Sequence, residues 1–170
     1  DNLNRFHING VQFQDWHYKH HWPLGGTADS PLEEYLDIAS RKTSLTTLKN
    51  YISHIHDYGM KAIFYNHCFG VLDDAQNDGV SSKWYLYKDA SCKEKDYHPL
   101  GAPFKSSIYL VNPGNPQWCE YLGKKNDDVY AVLDFDGYQI DQLGHRGQLY
   151  DADGKAVDLP KGYATFIESM

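Results

Sequence analysis

Asp141 lies near the end of the stretch FDGYQIDQLG, residues 135–144, between Ile140 and Gln142. By strand alternation it shares a face with Gln139, while Tyr138 and Ile140 point the other way. A carboxylate carried out of a core in this manner can attack an electrophilic carbon, hold a metal or act as a general base. The competing reading is a structural carboxylate that caps the loop after the strand. Other apolar runs end in the same polar way: Asp15-Trp16-His17 after INGVQFQ, Asn66-His67 after MKAIFY, and Asn112 after IYLV. A single polar strand end is ordinary solvent exposure. Several converging on one rim would form a site.

The stretch HYKHH supplies His17, His20 and His21, and clustered histidines can bind zinc. The spacing is not HExxH and no helix is expected there, so rim hydrogen bonding or loop packing accounts for it better. DADGKAVD, residues 151–158, brings Gly154 too early for a calcium loop and has no closing glutamate. It reads as a hairpin turning at Asp153-Gly154. Cys68, beside His67, reads as small core filler rather than a thiol nucleophile. Cys92 and Cys119 stand far from it and no CxxC pair exists. No metal and no cofactor is expected.

The elements that must carry these residues follow from periodicity. Val11 and Phe13 alternate with Gln12 and Gln14, which predicts a first strand over residues 8–16. Pro23 and Gly25-Gly26 make the next segment a loop. Leu45, Leu48, Ile52 and Ile55 recur at helical spacing, with Ser44 to cap the start and Gly59 to close the end. A second strand ends at Asn66-His67. Residues 71–107 form a long insert, with a short strand in KWYLYKD and an extended loop in DYHPLGAPF; so long a connection is usually functional. Residues 108–111 are expected as a third strand ending at Asn112. Asn115 and Pro116 then open a helix through Trp118, Tyr121 and Leu122 toward Val129. The strand bearing Asp141 is the fourth, and KGYATFIESM begins a last helix.

Strands alternating with helices mean a parallel sheet with helical crossovers. The glycine-rich phosphate turn of a dinucleotide fold is missing after the first strand. A complete (β/α)8 barrel takes about 250 residues, so the expected fold is α/β, a partial barrel of roughly four β/α units. Functional residues of such barrels gather at the carboxyl ends of the strands. A formal net charge of −7 without a basic run argues against nucleic acid and anionic membranes. No apolar stretch approaches the ~20 residues that cross a bilayer, and DNLNRFHING shows no signal-peptide pattern. Aromatic residues make up 15% of the chain, which suits either a bulky core or stacking faces for a sugar.

INGVQFQDWHYKHH, AIFYNHCFG, WYLYKD, IYLVNPGNP and FDGYQIDQLG together resemble glycoside hydrolase family 66, the endo-dextranases and cycloisomaltooligosaccharide glucanotransferases. The resemblance runs over nearly the whole chain. It implies that residues 1–170 are the N-terminal half of a (β/α)8 catalytic domain acting on α-1,6-linked glucan with retention of configuration, the remaining half being the chain's missing partner. It carries the aspartate nucleophile onto Asp141. Retention requires a second carboxyl about 5–5.5 Å away, in the family a glutamate well downstream. Glu120 and Glu168 fall on predicted helices and Glu33, Glu34 and Glu94 in loops or a charged turn, so this acid is expected outside the chain. Asp15 and Asn66 are expected to bind sugar hydroxyls, and Trp16 or Tyr65 to offer a stacking face. Gln139 and Gln142 flank the nucleophile. His17, His67 and Asn112 complete the expected substrate rim. Secretion, or display at a cell surface or in the periplasm, follows from a polymeric substrate. The alternatives are a carbohydrate-binding barrel fragment without catalysis, or a transglycosylase forming cyclic isomaltooligosaccharides. The fragment alone is expected to be nearly inactive.

Overall fold

The computed structural model describes residues 2–170. A short α1 (Asn2–Arg5) leads into β1 (Gly10–Phe13); a small hairpin, β2 (Glu34–Leu36) and β3 (Lys42–Ser44), precedes α2 (Leu45–Asp57) and β4 (Lys61–His67). Then come β5 (Gly70–Val71), β6 (Tyr97–His98), β7 (Ile108–Leu110), α3 (Pro116–Val132) and β8 (Gly137–Asp141). The hairpin β9 (Leu149–Tyr150) and β10 (Ala156–Val157) and the helix α4 (Leu159–Ser169) complete the mixed α/β chain.

The central sheet is parallel, in the order β1-β4-β8. Its register sets Phe13 opposite Phe64, Phe64 opposite Tyr138, and His67 opposite Asp141. Alternation therefore turns Phe13, Phe64 and Tyr138 to the helices, while Tyr65, His67, Gln139 and Asp141 share the other face. Phe64 and Tyr138 stack with ring centroids 4.9 Å apart. Against them pack Leu48, Ile52 and Ile55 of α2 and Val129 of α3, all buried. Each such aliphatic side chain contributes roughly 1.5–3 kcal/mol by leaving water.

Both crossover helices begin on local hydrogen bonds. Ser44 Oγ accepts from the Thr47 amide at the start of α2, and Asn115 Oδ1 accepts from the amides of Gln117 and Trp118 at the start of α3. At the end of α2, Gly59 takes φ +69°. Its amide bonds to His56 O and that of Met60 to Ile55 O, which satisfies two orphan carbonyls.

Two expectations change. Residues 108–111 do not join the parallel sheet: β7 lies antiparallel between β5 and β6. A parallel strand needs a crossover of a dozen or more residues, usually helical, and between β4 and β7 the only helical segments are two 3-10 turns, Ala75–Asp78 and Ser82–Trp84. The sheet thus has three parallel strands rather than four, and Asn112 leaves its rim. In the insert, DYHPLGAPF keeps an extended course around the two-residue β6, but KWYLYKD forms the end of a 3-10 turn and isolated bridges at Tyr85 and Tyr87 in place of the expected strand. Phe69, Val71, Leu86, Ile108 and Leu110 build a second core with Trp118 and Leu122 of α3 and Phe166 of α4. The turn at Asp153-Gly154 forms as expected, with Asp151 Oδ1 accepting from the Asp153 and Lys155 amides.

Candidate active site

The carboxyl ends of the parallel strands bring together the segments around Asp15, His67 and Asp141. Asp141 is the last residue of β8, and its side chain keeps 37% of its surface in contact with solvent. Tyr65, two residues before the end of β4, donates its hydroxyl proton to Asp141 Oδ2 at 2.8 Å. His67 Nε2 lies 2.9 Å from the same hydroxyl oxygen and 4.0 Å from Asp141 Oδ2. An ionised carboxylate only accepts hydrogen bonds. The Tyr65 proton is therefore committed to Asp141, and His67 Nε2 must donate to Tyr65. Burial, with the negative charge of Asp141 behind it, pushes the Tyr65 phenol well above its ordinary range. Tyr138 donates to the His67 carbonyl at 2.7 Å and so ties the end of β4 to β8.

Behind this triad stands a column of buried histidines. The rings of His20 and His67 stack with centroids 4.1 Å apart and planes 15° from parallel. His20 Nδ1 is 2.9 Å from Asn66 Oδ1, which already accepts from the His67 amide, so Nδ1 carries the proton. His17 Nε2 lies 2.9 Å from the same nitrogen. Burial holds His20 down at about 4, and burial together with neighbouring His20 holds His17 and His67 well below the usual histidine range. All three rings are neutral near pH 7.

The insert and the loop after β8 add residues that sequence reasoning missed. His98, on β6, has its ring centroid 6.5 Å from that of His67. Arg146, five residues past Asp141, donates to Asp96 Oδ2 at 2.9 Å and from a terminal nitrogen to His98 Nε2 at 3.1 Å. Burial and Arg146 lower the basicity of His98. Neither residue ends a parallel strand, and no local pattern marks them. An open cavity of about 730 Å³ is walled by Leu143, Arg146, Leu159 and Tyr163; Asp141 is not part of its wall.

Several expected rim residues are internal. Trp16 is 4% exposed and packs edge-on against Phe64 and tilted against Phe135, so it offers no stacking face. Tyr65 is also buried, and it serves Asp141 through its hydroxyl rather than its ring. Asn66 is fully buried: Oδ1 accepts from His67 and His20, and Nδ2 donates to the His20 carbonyl. That leaves its oxygen no lone pair for a sugar. His17 is fully buried as well. Asn112 Oδ1 accepts from the Gly114 amide in the turn before α3, away from the parallel sheet. Asp15, Gln139 and Gln142 remain half-buried. Asp15 and Gln142 hold positive φ angles of 52° and 69°, the strained conformation that clusters at functional sites.

Among the described residues one group of side chains has the spacing to hold a cation: His21, Asp74 and Asp78. Lys19 Nζ reaches Asp74 Oδ2 and Asp78 Oδ2 at 2.6 Å each. The chain thus brings its own ammonium to that group. The chain's glutamates stand elsewhere: Glu33 accepts from Ser44 and Thr46, Glu94 pairs with Lys88, Glu120 pairs with Lys124, and Glu34 and Glu168 are exposed on β2 and α4.

The profile of glycosyl hydrolase family 66 matches residues 1–170. The chain belongs to glycosyl hydrolase family 66. Two cycloisomaltooligosaccharide glucanotransferases of Niallia circulans are 31% and 29% identical to it, each over 96% of this chain and 17% of their own length. A dextranase of Streptococcus salivarius is 21% identical over 99% of the chain and 21% of its own length. The chain therefore spans about a fifth or less of these curated relatives. A crystal structure of a Paenibacillus cycloisomaltooligosaccharide glucanotransferase complexed with cycloisomaltoheptaose superposes with a TM-score of 0.88 at 29% identity, over 95% of this chain and 23% of that one. A maltogenic α-amylase of Thermotoga neapolitana superposes at 0.55 and 18% identity, over 85% and 33% of the two chains, a likeness of fold alone. The family 66 match and the carboxylate at the end of β8 thus fall in the same chain.

Proposed function

We propose that this chain forms the first part of a (β/α)8 catalytic domain that cleaves or transfers α-1,6-linked glucan with retention, and that Asp141 is its nucleophile. The observation that carries the reading is the Asp141 carboxylate itself. It stands at the carboxyl end of a parallel strand, partly open to solvent, and takes a hydrogen bond from a neutral hydroxyl rather than a cation. Such a group keeps a free lone pair for an anomeric carbon. In the first step a C1–O bond to the carboxylate forms as the glycosidic C1–O bond breaks. The departing oxygen takes a proton from a carboxylic acid supplied outside residues 1–170. Family membership and relatives named as dextranase and cycloisomaltooligosaccharide glucanotransferase support the substrate class. Asp15, Gln139 and Gln142 are the chain's contacts for sugar hydroxyls, and the polymeric substrate is met outside the cell.

The test is Asp141→Asn in the full-length protein that carries this chain. Turnover of isomaltooligosaccharides is expected to fall at least about 10⁴-fold while binding measured by calorimetry persists. Turnover that survives would remove Asp141 from the nucleophile's role. A protein that binds isomaltooligosaccharide but releases no product even unmutated would favour the binding-fragment reading.

A further inference from the structure

We infer that Tyr65 and His67 are positioning residues, Tyr65 binding one oxygen of the Asp141 carboxylate and His67 orienting Tyr65, so that the other oxygen, Oδ1, is left as the attacking atom; this rests on the nucleophile reading above. Among the described residues, the hydrogen bond to this carboxylate goes to Oδ2, from Tyr65 at 2.8 Å. A phenol has a single proton, so its direction decides whether it helps the carboxylate or competes with it. His67 fixes that direction by donating Nε2–H into the phenol oxygen at 2.9 Å. The opposite ring nitrogen, Nδ1, is buried without a partner. A second proton there would be a buried donor with no acceptor, so the ring holds one tautomer.

The surroundings keep it so. His20 stacks on His67 at 4.1 Å, His98 approaches from β6, Arg146 from the loop after β8, and Tyr138 binds the His67 carbonyl. The opposing charge is Asp141 itself, 4.0 Å away. Gly70 makes room for the ring: a Cβ at that position would lie 2.5 Å from His67 Nδ1. In the covalent step, an Oδ1 lone pair forms the bond to C1 and the glycosidic C1–O bond breaks. The leaving oxygen takes the proton of the carboxylic acid outside this chain. Tyr65 remains on Oδ2 throughout.

The experiment uses the full-length protein and the pH profile of kcat/KM on an isomaltooligosaccharide. Tyr65→Phe removes only a hydroxyl. It is expected to lower kcat/KM about tenfold and to move the acid limb up by about one pH unit, since the ionised carboxylate loses a hydrogen bond. His67→Leu is expected to move the limb the same way, and His67→Gln, which keeps an N–H donor, to restore it. A glycosyl-enzyme trapped with a fluorinated glucosyl donor is expected to carry its bond on the oxygen remote from Tyr65. An unmoved limb in Tyr65→Phe, or a glycosyl bond on the Tyr65-bound oxygen, overturns the inference even when Asp141→Asn is inactive. Should His67→Leu fail to fold, Tyr65→Phe and the trapped adduct still decide. Turnover surviving Asp141→Asn sinks the nucleophile reading and this inference with it.

Discussion

Asp141 and Asp78 are both carboxylates held by side chains distant in sequence, and they are held in opposite ways. Asp78 receives the Lys19 ammonium at 2.6 Å and His21 Nε2 at 2.9 Å. Burial alone would raise its carboxyl, but hydrogen bonds from Lys19 and His21 outweigh that and keep it below the usual range. Its charge is neutralised within the structure, and it anchors the 3-10 turn of the insert to the loop after β1. Asp141 receives a neutral phenol on one oxygen, and the nearest ring behind it is kept uncharged by burial. A carboxylate that joins parts of a fold is best met by a cation, which lowers the energy of its charge and occupies its lone pairs. For Asp141 in the proposed role, a weaker neutral donor on one oxygen leaves the other without a partner among the described residues.

The largest effect that would break this contrast is Asp141→Asn, with its expected loss of at least about 10⁴-fold in turnover and an unchanged denaturation midpoint, read by activity assay and urea titration together. If the same substitution at Asp78 cost as much turnover with no loss of stability, the division between the two carboxylates would fail. Lys19→Met should act in the reverse sense. It strands Asp78 and Asp74 without their cation and is expected to cost about 3 kcal/mol of stability in urea unfolding, at the low end for a broken pair because Asp74 still meets solvent. Isomaltooligosaccharide turnover per folded molecule should change little.

Next in size is a pH effect. His20 titrates at about 4 in the folded chain against 6.5 unfolded. Below about 6.5 the unfolded chain takes up the proton first, so stability falls as pH drops through the window between these values. From about pH 7.5 to about pH 5 the loss expected from His20 alone is about 2 kcal/mol, measured as a falling urea midpoint. His20→Gln should flatten that slope. The smallest effect is Gly70→Ala. Its new methyl would crowd His67 Nδ1 and the side chain of Ile108. A drop of about tenfold in kcat/KM, with stability lowered by about 1–2 kcal/mol, is expected from the displaced ring.

Some of this was legible in residues read one after another. The caps of α2 and α3 lie within three residues of the amides they serve, so Ser44 and Asn115-Pro116 announce those helices directly. The face of Asp141 followed from alternation in β8, where Tyr138 packs against Phe64 and Asp141 turns the other way. The turn at Gly154 was equally local. Family membership was legible too, because long stretches of the chain carry it.

Tertiary structure decided what depends on distant partners. The run IYLV is apolar in any sheet, and only the lack of a helix between β4 and β7 made it antiparallel and drew Asn112 off the rim. Trp16 could have faced a ligand or the core; Phe64 and Phe135 gave it a core to fill. Tyr65 meets Asp141 across 76 residues of chain, and Arg146 meets His98 across 48. Residue type limits what each side chain can donate or accept. Which partner it finds is set by strand register and by the burial that excludes water, and neither is a property of the neighbouring residues in sequence.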